Sequence, residues 1–211
     1  MSEYTRDPQT DRATDALPEA GRGAVAALIR VAELYDPSVA HRAALRAIVA
    51  SRLSEKLAAT PTERLLTIAA SALADADLAV SRPDVPEAAR APERSVLCAT
   101  LVERVPGLDR VSAVLRSQDE RWDGSGAPDG LGGSEIPLAS RIVTAVEELV
   151  GNPAAGLLPS WGPSLARLEA RSGSELDPDI VHALAALDLE SIDAPLTPSA
   201  AVLDLLEQAL P

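Results

Sequence analysis

An all-α fold is predicted by three features of the sequence. Hydrophobic residues make up 46% of its 211 residues, yet there is no Phe and aromatics amount to 2%. An interior of this kind is built from Leu, Val, Ile and Ala. Ala and Leu are strong helix formers, and the β-branched and aromatic enrichment of an extensive sheet is missing. Prolines preceded by capping residues then divide the chain at intervals suited to helices.

Residues 1–22, which mix charge with Pro and Gly and show no apolar period, are expected to be a flexible leader. Helical spacing begins near Gly23, with Val25, Leu28, Ile29 and Ala32 on one face and a stop at Asp36-Pro37. In the next helix Leu45, Ile48, Val49, Leu53 and Leu57 form the apolar face, with the arginines and Glu55 placed elsewhere. A third helix is announced by Thr60-Pro61-Thr62-Glu63, an N-cap Thr, a Pro at the first helical position and a Glu suited to a capping box, and should run to about Val80. Three prolines make 81–92 a loop. Helices are expected over 93–104 and 108–119, on either side of Pro106-Gly107, and over 138–150. The Gly-rich stretch between them and 151–163 are loops, because Gly and Pro disfavour helix. Two final helices start at Asp177-Pro178 and Thr197-Pro198. In the last, Val202, Leu205, Leu206 and Ala209 form an apolar face that must be buried on the bundle or on a partner. The domain plan is thus a leader (1–22), a main helical domain (23–190) and a C-terminal helix (191–211).

The formal charge is −13, which repels nucleic-acid phosphates and anionic lipid, so neither nucleic acid nor a membrane is an expected partner. No apolar run reaches the ~20 residues of a membrane helix. The polar N-terminus is unlike a secretory signal, and a cytoplasmic location is expected. The sole cysteine, Cys98, has no partner within the chain for a disulfide and is read as a small buried residue among Val96, Leu97 and Leu101. A sole lysine, Lys56, against many arginines and abundant Ala fits a GC-rich bacterial genome.

The most specific segment is Glu120-Arg121-Trp122-Asp123-Gly124-Ser125-Gly126-Ala127-Pro128-Asp129-Gly130-Leu131, followed by Gly133, Glu135-Ile136-Pro137-Leu138 and Arg141-Ile142. It closely resembles the signature region of HD-GYP domains, with Ala127 in place of the family's tyrosine. Upstream, Tyr35-Asp36-Pro37 leading to His41 looks like the family's first helix junction and first ligand histidine, one residue shorter. Downstream, the run from Ser172 through Asp177-Pro178 to Val181 looks like the start of its closing helix. The resemblance spans about residues 30 to 187. It implies an HD-GYP-like bundle of about seven to nine helices, iron or manganese ions, and hydrolysis of cyclic di-GMP. In such a site His and carboxylate ligands hold ions that activate a water and take up phosphoryl charge.

By the same resemblance the ligand positions are largely changed. The family's His-Asp pair falls at Ala74-Asp75, and the Gly and Lys that follow it become Asp77 and Leu78. The next lone histidine falls near Arg94, the tandem histidines become Gln118-Asp119, and the late aspartate becomes Glu147. Of the two histidines in the chain, His182 lies outside the motif. No catalytic residue and no resident cofactor are therefore expected. Were an ion retained, its donors would be His41, Asp75, Asp119 and Glu147, one imidazole with three carboxylates suited to a hard cation.

Each of these residues also has a structural reading. His41 would bond a neighbouring turn, Asp75 and Asp77 would face solvent or an Arg, and Trp122 would pack the loop. Arg121 and Arg141 would pair with Asp123 or Glu147. The leading expectation is a non-catalytic signalling or adaptor domain that binds a regulatory protein through the loop face or the terminal helix, with a homodimer left open. The alternatives are a cyclic di-GMP receptor using Arg94, Arg116, Arg121 and Arg141, and a residual metal-dependent phosphodiesterase with a carboxylate-rich site.

Overall fold

In the computed structural model, residues 16–75, 94–151, 159–193 and 195–210 are described. Among them are nine α-helices, two short 3-10 turns and no strand: α1 (Glu19–Tyr35), α2 (Pro37–Lys56), α3 (Pro61–Leu73), α4 (Arg94–Glu103), α5 (Asp109–Arg116), α6 (Leu138–Val150), α7 (Trp161–Arg171), α8 (Pro178–Ala185) and α9 (Pro198–Gln208). The all-α expectation holds. No described helix is long and apolar enough to cross a membrane.

Local chemistry accounts for most of the boundaries. Asp36 ends α1 and caps α2, accepting from Ser38 N at 2.9 Å. Thr60 and Glu63 form the expected capping box, with Glu63 N donating to Thr60 Oγ1 at 3.2 Å and Thr60 N to Glu63 Oε2 at 2.8 Å. Asp177 caps α8 through Asp179 N.

Several expectations are corrected. The chain is helical from Glu19, within the span assigned to a leader, because Leu17 is buried and Arg22 donates to its carbonyl at 3.0 Å and to Glu207 of α9 at 2.9 Å. Residues 1–15 lie outside the described residues, as does the loop expected at 81–92. Helix α3 ends at Leu73 rather than near Val80, and α5 ends at Arg116. Leu28, expected on the buried face of α1, is exposed. Helix α7 was not expected: Pro163 lies in its first turn, where the missing N–H has no intrahelical partner to lose, and Trp161 and Leu168 are buried. Thr197 does not cap α9; Glu33 of α1 does, accepting from Ser199 N at 2.7 Å.

Two apolar clusters form the interior. One gathers α1, α3, α4, α5 and α9 with the Ala40, Ala43, Ala44 and Ala47 side of α2. The other gathers α7 and α8 with Leu45, Val49 and Leu53 of α2 and most of α6. Helices α2 and α6 contribute to both, so the candidate site, at the junction of α2, the end of α3 and α6, lies between the clusters. The apolar face of α9 is buried on the bundle through Val202, Leu206 and Ala209.

Candidate functional site

Helix α2 carries the side chains that define this junction. Arg42, Leu45, Arg46, Val49 and Leu53 follow the i, i+3, i+4, i+7 rule for one helix face, so the two arginines enter the interior with the leucines. Arg42 is 7% and Arg46 4% exposed. That corrects the expectation that the α2 arginines stand away from the apolar face.

Both arginines meet Asp75, which is 5% exposed and lies just past the end of α3. Arg42 Nε is 3.2 Å and Arg46 Nη1 2.9 Å from Asp75 Oδ2. A carboxylate at a helix C-terminus faces the negative end of the helix dipole, and buried it also loses hydration. Two guanidiniums offset both costs. Arg46 reaches further, with Nη2 3.7 Å from Glu147 Oε1 on α6, and the second oxygen of Glu147 accepts from Gln118 Nε2. Thr144 Oγ1 donates to the Gln118 carbonyl at 2.7 Å and holds the end of α5 against α6.

The structure thus brings Asp75, Gln118 and Glu147 into one network with Arg42 and Arg46. The other positions are elsewhere. His41 is half-buried, and its Nδ1 lies 2.7 Å from the Pro37 carbonyl in the preceding turn. Asp119 is exposed. Ala74 is buried, and its carbonyl accepts from Cys98 Sγ at 3.3 Å. Asp77 and the side chain of Arg94 lie outside the described residues. Among the described residues, no group of three His, Cys, Asp or Glu side chains is placed to hold a metal ion. The donors that a retained ion would need do not fit one: His41 and Asp119 are not gathered with the carboxylates, and Asp75 and Glu147 are ion-paired to guanidinium.

The Gly-rich loop is anchored by its own residues. Glu120 is buried, and its two oxygens accept from Asp129 N at 2.7 Å and Leu131 N at 2.9 Å. Backbone bonds from Trp122 N to Glu175 O at 3.1 Å and from Asp123 N to Ser174 O at 2.8 Å fasten the loop to the turn before α8. Gly126 is required, because a Cβ there would stand 2.3 Å from Arg121 N. Gly124 has φ +79°, and the Ala127-Pro128 bond is cis.

The loop arginines do not use Glu147. Arg121 Nη1 lies 3.1 Å from Glu175 Oε1, with Nε 3.6 Å from Asp123. Arg141 donates to Asp177 Oδ2 at 2.6 Å and to the Ile136 carbonyl at 2.9 Å, and its guanidinium lies 5.8 Å from the centre of the half-buried Trp122 ring. The Arg171 guanidinium beside Glu175 holds its carboxyl below the usual range, and the Ser125 hydroxyl does the same for Asp123. Arg116 pairs with Asp129 at 3.0 Å.

Sequence reasoning missed Arg42 and Arg46. The available signal was their place on the stripe of Leu45, Val49 and Leu53. Arg is rarely buried without a partner, and the partner here is remote in the chain.

Residues 84–180 match the family model described as HD domain. The chain is similar to that domain over this segment, which is less than half of its length, and the all-helical architecture agrees with the likeness. It covers Gln118, the Gly-rich loop and Glu147, whereas Arg42, Arg46 and Asp75 precede it. No curated protein matches the chain.

Proposed function

We propose that the chain is a non-catalytic signalling or adaptor domain, derived from a cyclic di-GMP phosphodiesterase of HD-GYP type, that acts by protein–protein contact. The observation that carries this reading is the use of Asp75 and Glu147 as partners of buried arginines. A phosphohydrolase of this fold needs its carboxylates for ions that generate the nucleophile. Arginine cannot substitute in that role, because it offers donors only and holds its proton at any physiological pH. Partner contact has surface to use: the loop face, and the end of α1, where Leu34 is 73% and Tyr35 89% exposed. The apolar face of α9 is not part of that surface, being buried on the bundle.

The geometry disfavours a cyclic di-GMP receptor. Two phosphates need free cations in a chain of formal charge −13, and of the four arginines named for that role Arg116, Arg121 and Arg141 are each engaged by a carboxylate, while the side chain of Arg94 lies outside the described residues. The test is in two arms. Protein supplied with Mn2+ or Fe2+ should show no turnover of cyclic di-GMP that depends on Asp75, and hydrolysis abolished by Asp75→Asn would contradict the reading. Cross-linking in native lysate should recover a stoichiometric partner that is lost when Leu34 and Tyr35, or Trp122, are replaced by Asp. A protein that is monomeric and recovers nothing would also contradict it.

A further inference from the structure

We infer that Arg46 is a built-in cation of this fold, its guanidinium standing between Asp75 and Glu147 in place of the metal that the HD-domain resemblance assigns to those carboxylates. The inference rests on the reading of the site as non-catalytic and adds what the arginine does there. One guanidinium reaches carboxylates from two separate elements, at 2.9 Å from Asp75 beyond α3 and 3.7 Å from Glu147 on α6. Its two Nη atoms face different acids, so one cation lies beside both, while Arg42 Nε donates to Asp75 Oδ2 at 3.2 Å. A dication and a buried guanidinium can each hold two acids drawn from different elements; the guanidinium carries one charge to the ion's two, and Arg42 beside Asp75 supplies the second. Only the dication keeps an open position for water. Tethered to α2, the guanidinium cannot be exchanged or chelated, and it bridges the two apolar clusters.

The consequence is that folding of this chain does not depend on divalent ions but depends on Arg46. Thermal melts of the full chain test it, using wild type, Arg46→Ala and Arg46→Ala/Glu147→Gln, each in chelator and in Mn2+. Wild type should melt at the same temperature in both. Arg46→Ala should melt lower in chelator, because the buried Asp75 and the half-buried Glu147 lose their shared cation, and should recover about 5 to 10 °C at Mn2+ concentrations near 100 times its dissociation constant. The double variant, with one acid removed, should be more stable than Arg46→Ala in chelator and should not respond to Mn2+. If Arg46→Ala fails to fold, the double variant carries the test, and it should fold.

Arg46→Ala as stable as wild type in chelator, or a double variant less stable than Arg46→Ala, overturns the inference and leaves the non-catalytic reading standing. A wild type that takes up Mn2+ and melts higher with it overturns both.

Discussion

Replacing Glu120 by Ala should release the Gly-rich loop while leaving the bundle folded. The buried carboxylate accepts from Asp129 N at 2.7 Å and Leu131 N at 2.9 Å. A hydrogen bond to a charged group contributes about 1.5–3 kcal/mol, and two set an upper range of about 3–6 kcal/mol. The loss should be smaller, since Asp129 is exposed and Leu131 half-exposed, so water replaces part of what their N–H groups lose. A cost of about 2–4 kcal/mol follows, or a fall of about 4–16 °C in Tm for a chain of this size. Glu120→Gln keeps one acceptor and should fall between wild type and Ala. Hydrogen exchange locates the effect: the amides of Asp129 and Leu131 should lose protection first, followed by Trp122, Asp123 and Gly133, whose backbone bonds hold the loop. An Ala variant with unchanged protection at Asp129 and Leu131 would refute the assignment of Glu120 as the anchor.

Gly126→Ala should be destabilising by more than about 2 kcal/mol, because the new Cβ would meet the Arg121 backbone at 2.3 Å; a Tm within a degree of wild type would show that the loop can shift. Glu33→Ala should free the start of α9 by removing the acceptor of Ser199 N, costing about 1 kcal/mol as a lost cap and raising amide exchange at Ser199 and Ala200. Glu175 and Asp123 have lowered folded pKa values, so their contribution is complete above about pH 4.3 and is lost as pH falls through the folded values. An acid titration should therefore loosen the loop and its Ser174-Glu175 contact below that pH, seen as a change in Trp fluorescence that Glu175→Gln moves or removes.

Much of the fold was legible because helix boundaries are local chemistry. Asp36-Pro37, Thr60-Pro61 and Asp177-Pro178 each place a capping side chain before a proline, and the structure starts a helix at each. Thr197-Pro198 shows the limit: the helix is there, but the cap is Glu33, supplied from α1 by tertiary packing. Helix α7 was hidden by Pro163, which breaks an interior but is harmless in a first turn. Of the positions that resemblance put in one site, Asp75, Gln118 and Glu147 are joined through Arg46, whereas His41 bonds its own preceding turn and Asp119 is exposed. Arg42 and Arg46 were hidden because an arginine on a helix is ordinarily solvated. Their periodicity with Leu45, Val49 and Leu53 put them inside, while the reason they tolerate burial lies in Asp75, a partner that only the folded chain brings near.

We propose that the carboxylates of this site serve arginines and not a metal. Elemental analysis of protein purified without chelator, covering iron, manganese, zinc and magnesium, tests it most directly. The content should be far below one ion per chain and unchanged in Asp75→Asn. A content near one ion per chain that falls when Asp75 or Glu147 is replaced would contradict it.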